Sequence, residues 1–416
     1  MPVPSASPAP AASALPPARP PLPYWRLSGY YFFHFAFIGA FSPYFGLYLQ
    51  SLSFSAWDIG FLMSQMQLMR MIGPYVWGAL ADRSSRRTPI VRLSALLSLA
   101  GFAGFFMASD FTALLVAMAL MAFFWSASLP LVETITFDHL REEAVRYGRI
   151  RVWGSVGFVL AVIGTGALLD VFPLRAVLWV CLSMLAGILV YAMLVPEAPG
   201  HCATGEAPPL GQILRQRRVL ALFAACFAMS AAHGALYVFY SIHLAGNGYG
   251  KTAIGALWSL GVLAEIGVFM LMSRLQRRFG LRLILLACFA AAAVRFVTIG
   301  WGVASVSLIL FAQLLHGLTF GAYHAVAIAA VNRWFPGRRQ ARGQALYSSL
   351  SFGAGGLVGG LFSGWSWDAL GAAPTYGASA VFALFGFALV WIWVRDGEAG
   401  DDAPPASLKN PANQPR

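Results

Sequence analysis

Charge is what this chain has least of. Only 11% of its 416 residues are Asp, Glu, Lys or Arg, whereas an ordinary soluble domain carries about 25%. Water is therefore not its main solvent. Its four cysteines, Cys181, Cys202, Cys226 and Cys288, stand without disulfide or metal-ligand spacing. There is no His/Asp/Glu cluster with metal spacing, no nucleophile motif and no appended soluble domain, so neither an enzyme nor a sensor is expected, and neither a metal nor a cofactor. The first 24 residues lack the basic start and apolar core of a cleavable signal peptide. Rich in Pro and Ala, they read as a disordered cytoplasmic tail, as do residues 396–416.

What is present is apolar and rich in glycine. Hydrophobic residues make up 59% of the chain, in runs of about 20, the length a helix needs to cross a hydrocarbon core of ~30 Å. Twelve such segments, from 25–51 to 374–394, predict an all-α polytopic membrane protein. Many of its 42 glycines lie inside these segments, as in "GSVGFVLAVIGTG" and "SFGAGGLVGGLFSG". Small residues there let helix backbones approach closely in lipid, which supplies no hydrophobic drive between helices.

The net charge of +12 does not point to nucleic acid, because its distribution follows topology. Basic residues gather in alternate connections, such as Arg83, Arg86 and Arg87, while the opposite connections hold only Arg175 and Lys251. The positive-inside rule then places both termini in the cytoplasm of a bacterial-type inner membrane. The longest connection, 196–218, reads as a cytoplasmic linker between two six-helix bundles, 25–195 and 219–395. An internal repeat supports that division: "GALADRSSRR" (78–87) follows the second segment and "SRLQRRFGLR" (273–282) the eighth.

A charge near the bilayer centre costs about 2.5–3.5 kcal/mol on insertion scales, so each one inside a segment is a functional candidate. These are Arg70, Glu133, Arg149, Arg151, Glu265 and Arg295, with His34, His233, His316 and His324 behind them. Glu133 and Arg151 are equidistant from the turn at residue 142, so antiparallel helices place them at one depth, where a charge pair is feasible. Glu265 and Arg295 are likewise equidistant from Gly280. Bland readings stand beside these: Arg149 snorkelling to headgroups, Asp138 as a segment-end residue, His34 and His233 as packing residues, and Glu265 with Arg295 as a structural ion pair.

"GALADRSSRR" resembles the signature loop of the major facilitator superfamily. The resemblance implies that Gly78 permits close helix contact, that Asp82 pairs near a helix end, and that Arg83, Arg86 and Arg87 hold the cytoplasmic face as a gating loop. Ser85 stands where glycine is usual, and Arg277 replaces the acid in the second half. Such proteins rock two bundles around a midplane site. "YGRIRVWGSVGF" (147–158) resembles the fifth span of the sugar permeases, which puts Arg151 and Glu133 at substrate-binding positions. "RFGLRLILLACFAAAAVR" places Arg295 at an arginine of the proton pathway, and His316 follows as its histidine. Phe158 replaces a sugar-stacking tryptophan, and Thr319 replaces the proton-carrying glutamate. By elimination Glu265 becomes the expected proton carrier, held ionised by Arg295.

"WSLGVLAEIGVF" (258–269) and "QLLHGLTFGAYHA" (313–325) are similar to the phenylpropionate-permease branch. The implied function is proton-coupled uptake of a small organic solute, an aromatic monocarboxylate bound by Arg70 and Arg151 with His34, Glu133, Phe158 and Tyr237. The alternatives are symport of a sugar or nucleoside, or efflux by antiport; the fifth segment lacks the proline of the exporter motif. Substrate, protons and the bilayer are the expected partners, and a monomer the expected functional unit.

Overall fold

A computed structural model describes residues 22–84, 86–198 and 210–395. Cys202, both tails beyond these limits and residues 199–209 of the linker lie outside the described residues, as does the Asp82 side chain. Among the described residues there is no strand. The long helices are α1 (Tyr24–Ser51), α2 (Ala56–Arg83), α3 (Thr88–Phe106, ending in a 3₁₀ turn), α4 (Phe111–Leu140), α5 (Tyr147–Val171), α6 (Ala176–Leu194) and α7 (Arg217–Gly246). Beyond them lie α8 (251–279), α9 (281–302), α10 (Val306–Trp334), α11 (Arg342–Leu370) and α12 (Ala372–Trp393).

Local chemistry sets the ends of these helices. Ser55 and Asp58 form a reciprocal capping box at the start of α2, and Asp110 accepts from the Ala113 N–H to start α4. Lys251–Gly302 runs as one helical stretch interrupted at Gly280, whose φ of 69° turns the chain between α8 and α9. Gly371, at φ 84°, does the same between α11 and α12. Both need a left-handed backbone that a side chain disfavours.

Ten helical stretches are long and apolar enough to span a membrane, Lys251–Gly302 being one of them. Dividing it at Gly280 makes eleven. The sequence count of twelve includes α2, which has the length, 28 residues, but is less apolar because Asp58, Gln65, Gln67 and Arg70 lie along it.

Helices α1 to α6 pack on one another, as do α7 to α12, and the two sets meet chiefly through α2 against α11 and α5 against α8. Glycine makes several of these contacts possible. A Cβ on Gly157 of α5 would lie 2.2 Å from the Phe32 carbonyl oxygen of α1, and one on Gly234 of α7 2.2 Å from the Gly359 carbonyl carbon of α11. Backbone cannot yield as a flexible side chain can. Gly157→Ala is accordingly expected to destabilise the protein by about 1–3 kcal/mol, read as a lower Tm in detergent, whereas Gly164→Ala, which faces open space, leaves Tm unchanged.

Candidate functional site

The charged residues within the helices do not pair as their spacing suggests. Arg295 is buried, at 1% exposure, and spends its guanidinium on α10 instead of on Glu265. Its Nε donates to the Ala312 carbonyl (2.9 Å), Nη1 to Thr319 Oγ1 (3.0 Å) and Nη2 to Gln313 Oε1 (2.9 Å). At this point the α10 hydrogen-bond ladder widens into a π-helical turn, Gly317–Ala322. Arg295 thus staples an irregular stretch of helix. The expectation that it holds Glu265 ionised is corrected, because its donors are already taken by neutral oxygens.

Glu265 lies instead beside His316, with Oε2 and Nε2 3.9 Å apart. Glycines bring α8 and α10 together here: a Cβ on Gly261 would meet the His316 ring at 3.2 Å, one on Gly317 the Ala264 carbonyl oxygen at 2.7 Å, and one on Gly321 the Glu265 side chain at 3.1 Å. The charge that reaches Glu265 is that of Arg151, from the other bundle.

In the first bundle, Glu133 and Arg151 form no ion pair within 4.0 Å. Glu133 Oε1 accepts from the Tyr147 hydroxyl (3.0 Å), and the Arg151 guanidinium lies 3.8 Å from the Phe35 ring centroid. The cation–π contact leaves the Arg151 donors available, since a ring face uses none of them. Arg70 likewise has no carboxylate within 4.0 Å; it donates to Gln67 (3.4 Å) and lies 5.7 Å from the centroid of Phe352 on α11. The charges of Arg70 and Arg151 both reach His34 and His324, and Tyr237 feels Arg70, Glu265 and Arg295 together. One central region therefore collects Arg70, Arg151, Glu265, Tyr237 and His324, rimmed by the rings of Phe35, Phe320 and Phe352.

Other candidates have structural partners. His34 is buried and stacks on Trp125 (4.6 Å, 7° between planes), with neither ring nitrogen hydrogen-bonded. Phe158 sits where α5 touches α1, against Gly39. His233 breaks α7 and bonds the Met229 carbonyl (2.8 Å). Asp138, read as a segment-end residue, forms an ion pair with Arg87. Glu197 accepts from the backbone N–H groups of Arg87 and Thr88 (3.0 and 2.9 Å), so the loop after α2 is tied to the chain that follows α6. Arg83 and Arg86 are exposed. Gly78 makes no close helix contact: it borders a crevice between α2 and α4.

The sequence reading missed several contributors. Phe35, Phe320 and Phe352 were hidden among 32 phenylalanines, and no spacing marks a ring that will meet a guanidinium. Tyr347, which hydrogen-bonds His324 at 2.9 Å, lies just before a second π-helical stretch, Ser349–Gly355, that helical periodicity does not foretell.

Residues 24–378, most of the chain, match the MFS_1 like family. The chain belongs to that family. It is a multi-pass membrane transporter with the major facilitator fold, not an enzyme. It is 29% identical over 354 residues to a protein of Escherichia coli (strain K12) described as a probable 3-phenylpropionic acid transporter, covering 83% of this chain and 92% of that one. It is 28% identical over 345 residues to the maltose permease of Geobacillus stearothermophilus, covering 80% and 85%. Its fold superposes on the crystal structure of the nucleoside transporter NupG with a TM-score of 0.78 at 16% identity, covering 89% of this chain and 98% of that one.

In this MFS_1-like protein Arg295→Gln should cost about 2–4 kcal/mol, since it strips three hydrogen bonds from buried acceptors. The check is a lower Tm without substrate, and a smaller loss for Arg151→Gln.

Proposed function

We propose that this transporter takes up an aromatic monocarboxylate together with protons. The observation that carries the reading is the pair of arginines facing the centre, Arg70 and Arg151, neither with a carboxylate within 4.0 Å among the described residues and each set against an aromatic ring. A guanidinium with free donors binds a carboxylate in two parallel hydrogen bonds, while Phe35, Phe320, Phe352 and Tyr237 suit an apolar ring. Likeness to a protein described as a probable 3-phenylpropionic acid transporter agrees with this chemistry. His34 and Phe158 act behind the site, as packing for α1 and α5, and Glu133 with Tyr147 forms its inner edge.

Glu265 is the proposed proton carrier. It lies on α8 beside His316 and within reach of the Arg151 charge, so an anionic substrate that neutralises Arg151 changes the balance at Glu265 directly. Arg295 supports this by shaping α10, which carries His316. The protein works as a monomer in the cytoplasmic membrane, with the arginine-rich loops inside.

In proteoliposomes, counterflow of labelled 3-phenylpropionate is expected, with an alkalinisation outside when the unlabelled acid is added. Arg70→Ala should weaken binding of the acid by about 10- to 100-fold, or about 1.4–2.7 kcal/mol. A sugar or nucleoside that binds equally well to the wild type and to Arg70→Ala would sink the carboxylate assignment. Glu265→Gln should abolish uphill accumulation while sparing counterflow; accumulation retained in that variant would remove Glu265 from the proton path.

A further inference from the structure

Two carboxylates far from the central region make a matched set of contacts. Asp170 lies at the end of α5 and Asp368 near the end of α11, both on the face opposite the arginine-rich loops. Asp170 accepts from the Lys251 N–H (2.8 Å), the Thr252 N–H (2.9 Å) and the Thr252 hydroxyl (2.6 Å). Asp368 accepts from the N–H groups of Ala56 (3.0 Å) and Trp57 (2.8 Å). Each carboxylate therefore takes the first two backbone donors of a helix in the other bundle, α8 in one case and α2 in the other. Ala56 and Lys251 are related by the same offset as Asp82 and Arg277, so the two contacts are copies under the internal repeat.

The first N–H groups of a helix have no partner within it and carry the positive end of its dipole. The bundles supply each other's missing acceptor. Neither carboxylate has a Lys or Arg within 4.0 Å among the described residues; helix N-terminal N–H groups hold both, with the Thr252 hydroxyl added at Asp170.

Around these contacts the backbones close. A Cβ on Gly60 of α2 would lie 2.8 Å from Gly364 Cα of α11, and one on Gly166 of α5 2.4 Å from the Lys251 carbonyl oxygen. Tyr44 of α1 donates to the carbonyls of Val162 (2.8 Å) and Lys251 (3.0 Å), across the second seam. Towards the arginine-rich face the contact ends. On α2, Ser64 and Met71 still touch glycines of α11, but Tyr75, one turn further on the same face, is 58% exposed. A Cβ on Gly78 or on Gly267 of α8 would meet nothing within 4 Å.

We infer that Asp170 and Asp368 are the positioning residues of an outer gate, each fastening one bundle to a helix N-terminus of the other, and that both contacts release together when the cavity opens outward. The inference rests on the alternating-access reading of transport but not on the substrate assigned above. Release at this level passes the carboxylates and the N–H groups to water instead of lipid, so the contacts can break and re-form reversibly. A fastening of the same kind deep in hydrocarbon would leave its groups unsatisfied.

The test uses the full chain with its four cysteines replaced by serine, and needs no substrate. Ser64→Cys reports the outer seal and Tyr75→Cys the inner opening, read by the rate of alkylation with a membrane-impermeant maleimide in right-side-out and inside-out vesicles. Asp170→Asn or Asp368→Asn is expected to raise outer labelling about threefold, and the double variant about tenfold, while inner labelling falls. Asp368→Glu, which keeps the charge, should return labelling towards the parental rate. Unchanged rates at both reporters overturn the gate, and so does a rise at both, which marks a loosened fold instead of a shift between states.

Discussion

In hydrocarbon no water competes for a polar group, so a charged side chain within these helices is costly unless protein groups meet it or it faces the central region between the bundles. Arg295 shows the first solution. A cation at 1% exposure is tolerated because three oxygens of α10 are brought to it. Two of them, on Ala312 and Gln313, precede the π-helical turn and the third, on Thr319, lies within it, so the arginine spans the start of the irregular stretch. Glu133 under the Tyr147 hydroxyl is the same solution on a smaller scale. Arg70 and Arg151 show the second: each lies against a ring with no carboxylate within 4.0 Å among the described residues, which is why they carry the substrate site proposed above.

Glycine makes both solutions possible. Where α8 meets α10, Gly261, Gly317 and Gly321 bring Glu265 and His316 side by side. Where α2 meets α11 and α5 meets α8, the same kind of close approach seals one end of the molecule and sets Asp368 and Asp170 on the opposing helix ends. The seam is tight at one end and stops towards the arginine-rich face, where Tyr75 is 58% exposed. Chemistry at the centre and closure at the edge are thus two uses of one packing rule.

Much of the arrangement was legible in the sequence because helix length and basic loops depend on a residue's own neighbours. The segment 25–51 becomes α1 at Tyr24–Ser51, and 148–170 becomes α5 at Tyr147–Val171, because apolar run length is a local property. Arg70, Arg151 and Glu265 could be singled out because a charge in an apolar run is costly wherever it ends up facing. Their partners could not. Equal depth on a hairpin fixes height but not azimuth, so Glu265 and Arg295, equidistant from Gly280, turn to different neighbours. The π-helical stretches at Gly317–Ala322 and Ser349–Gly355 rotate everything beyond them, and no periodicity announces such a step.

The sequence by itself determined that this chain is a bundle of membrane helices, which loops are basic, and which few residues carry charge into the apolar interior. These follow from transfer energies and helix rise, which act residue by residue. Only the tertiary structure decided that Arg295 serves α10, that Glu265 faces His316 and the charge of Arg151, and that Asp170 and Asp368, unremarkable at the ends of their segments, bridge the two bundles. Those outcomes depend on which helix faces which, and that is set by packing between residues from 17 to 312 positions apart.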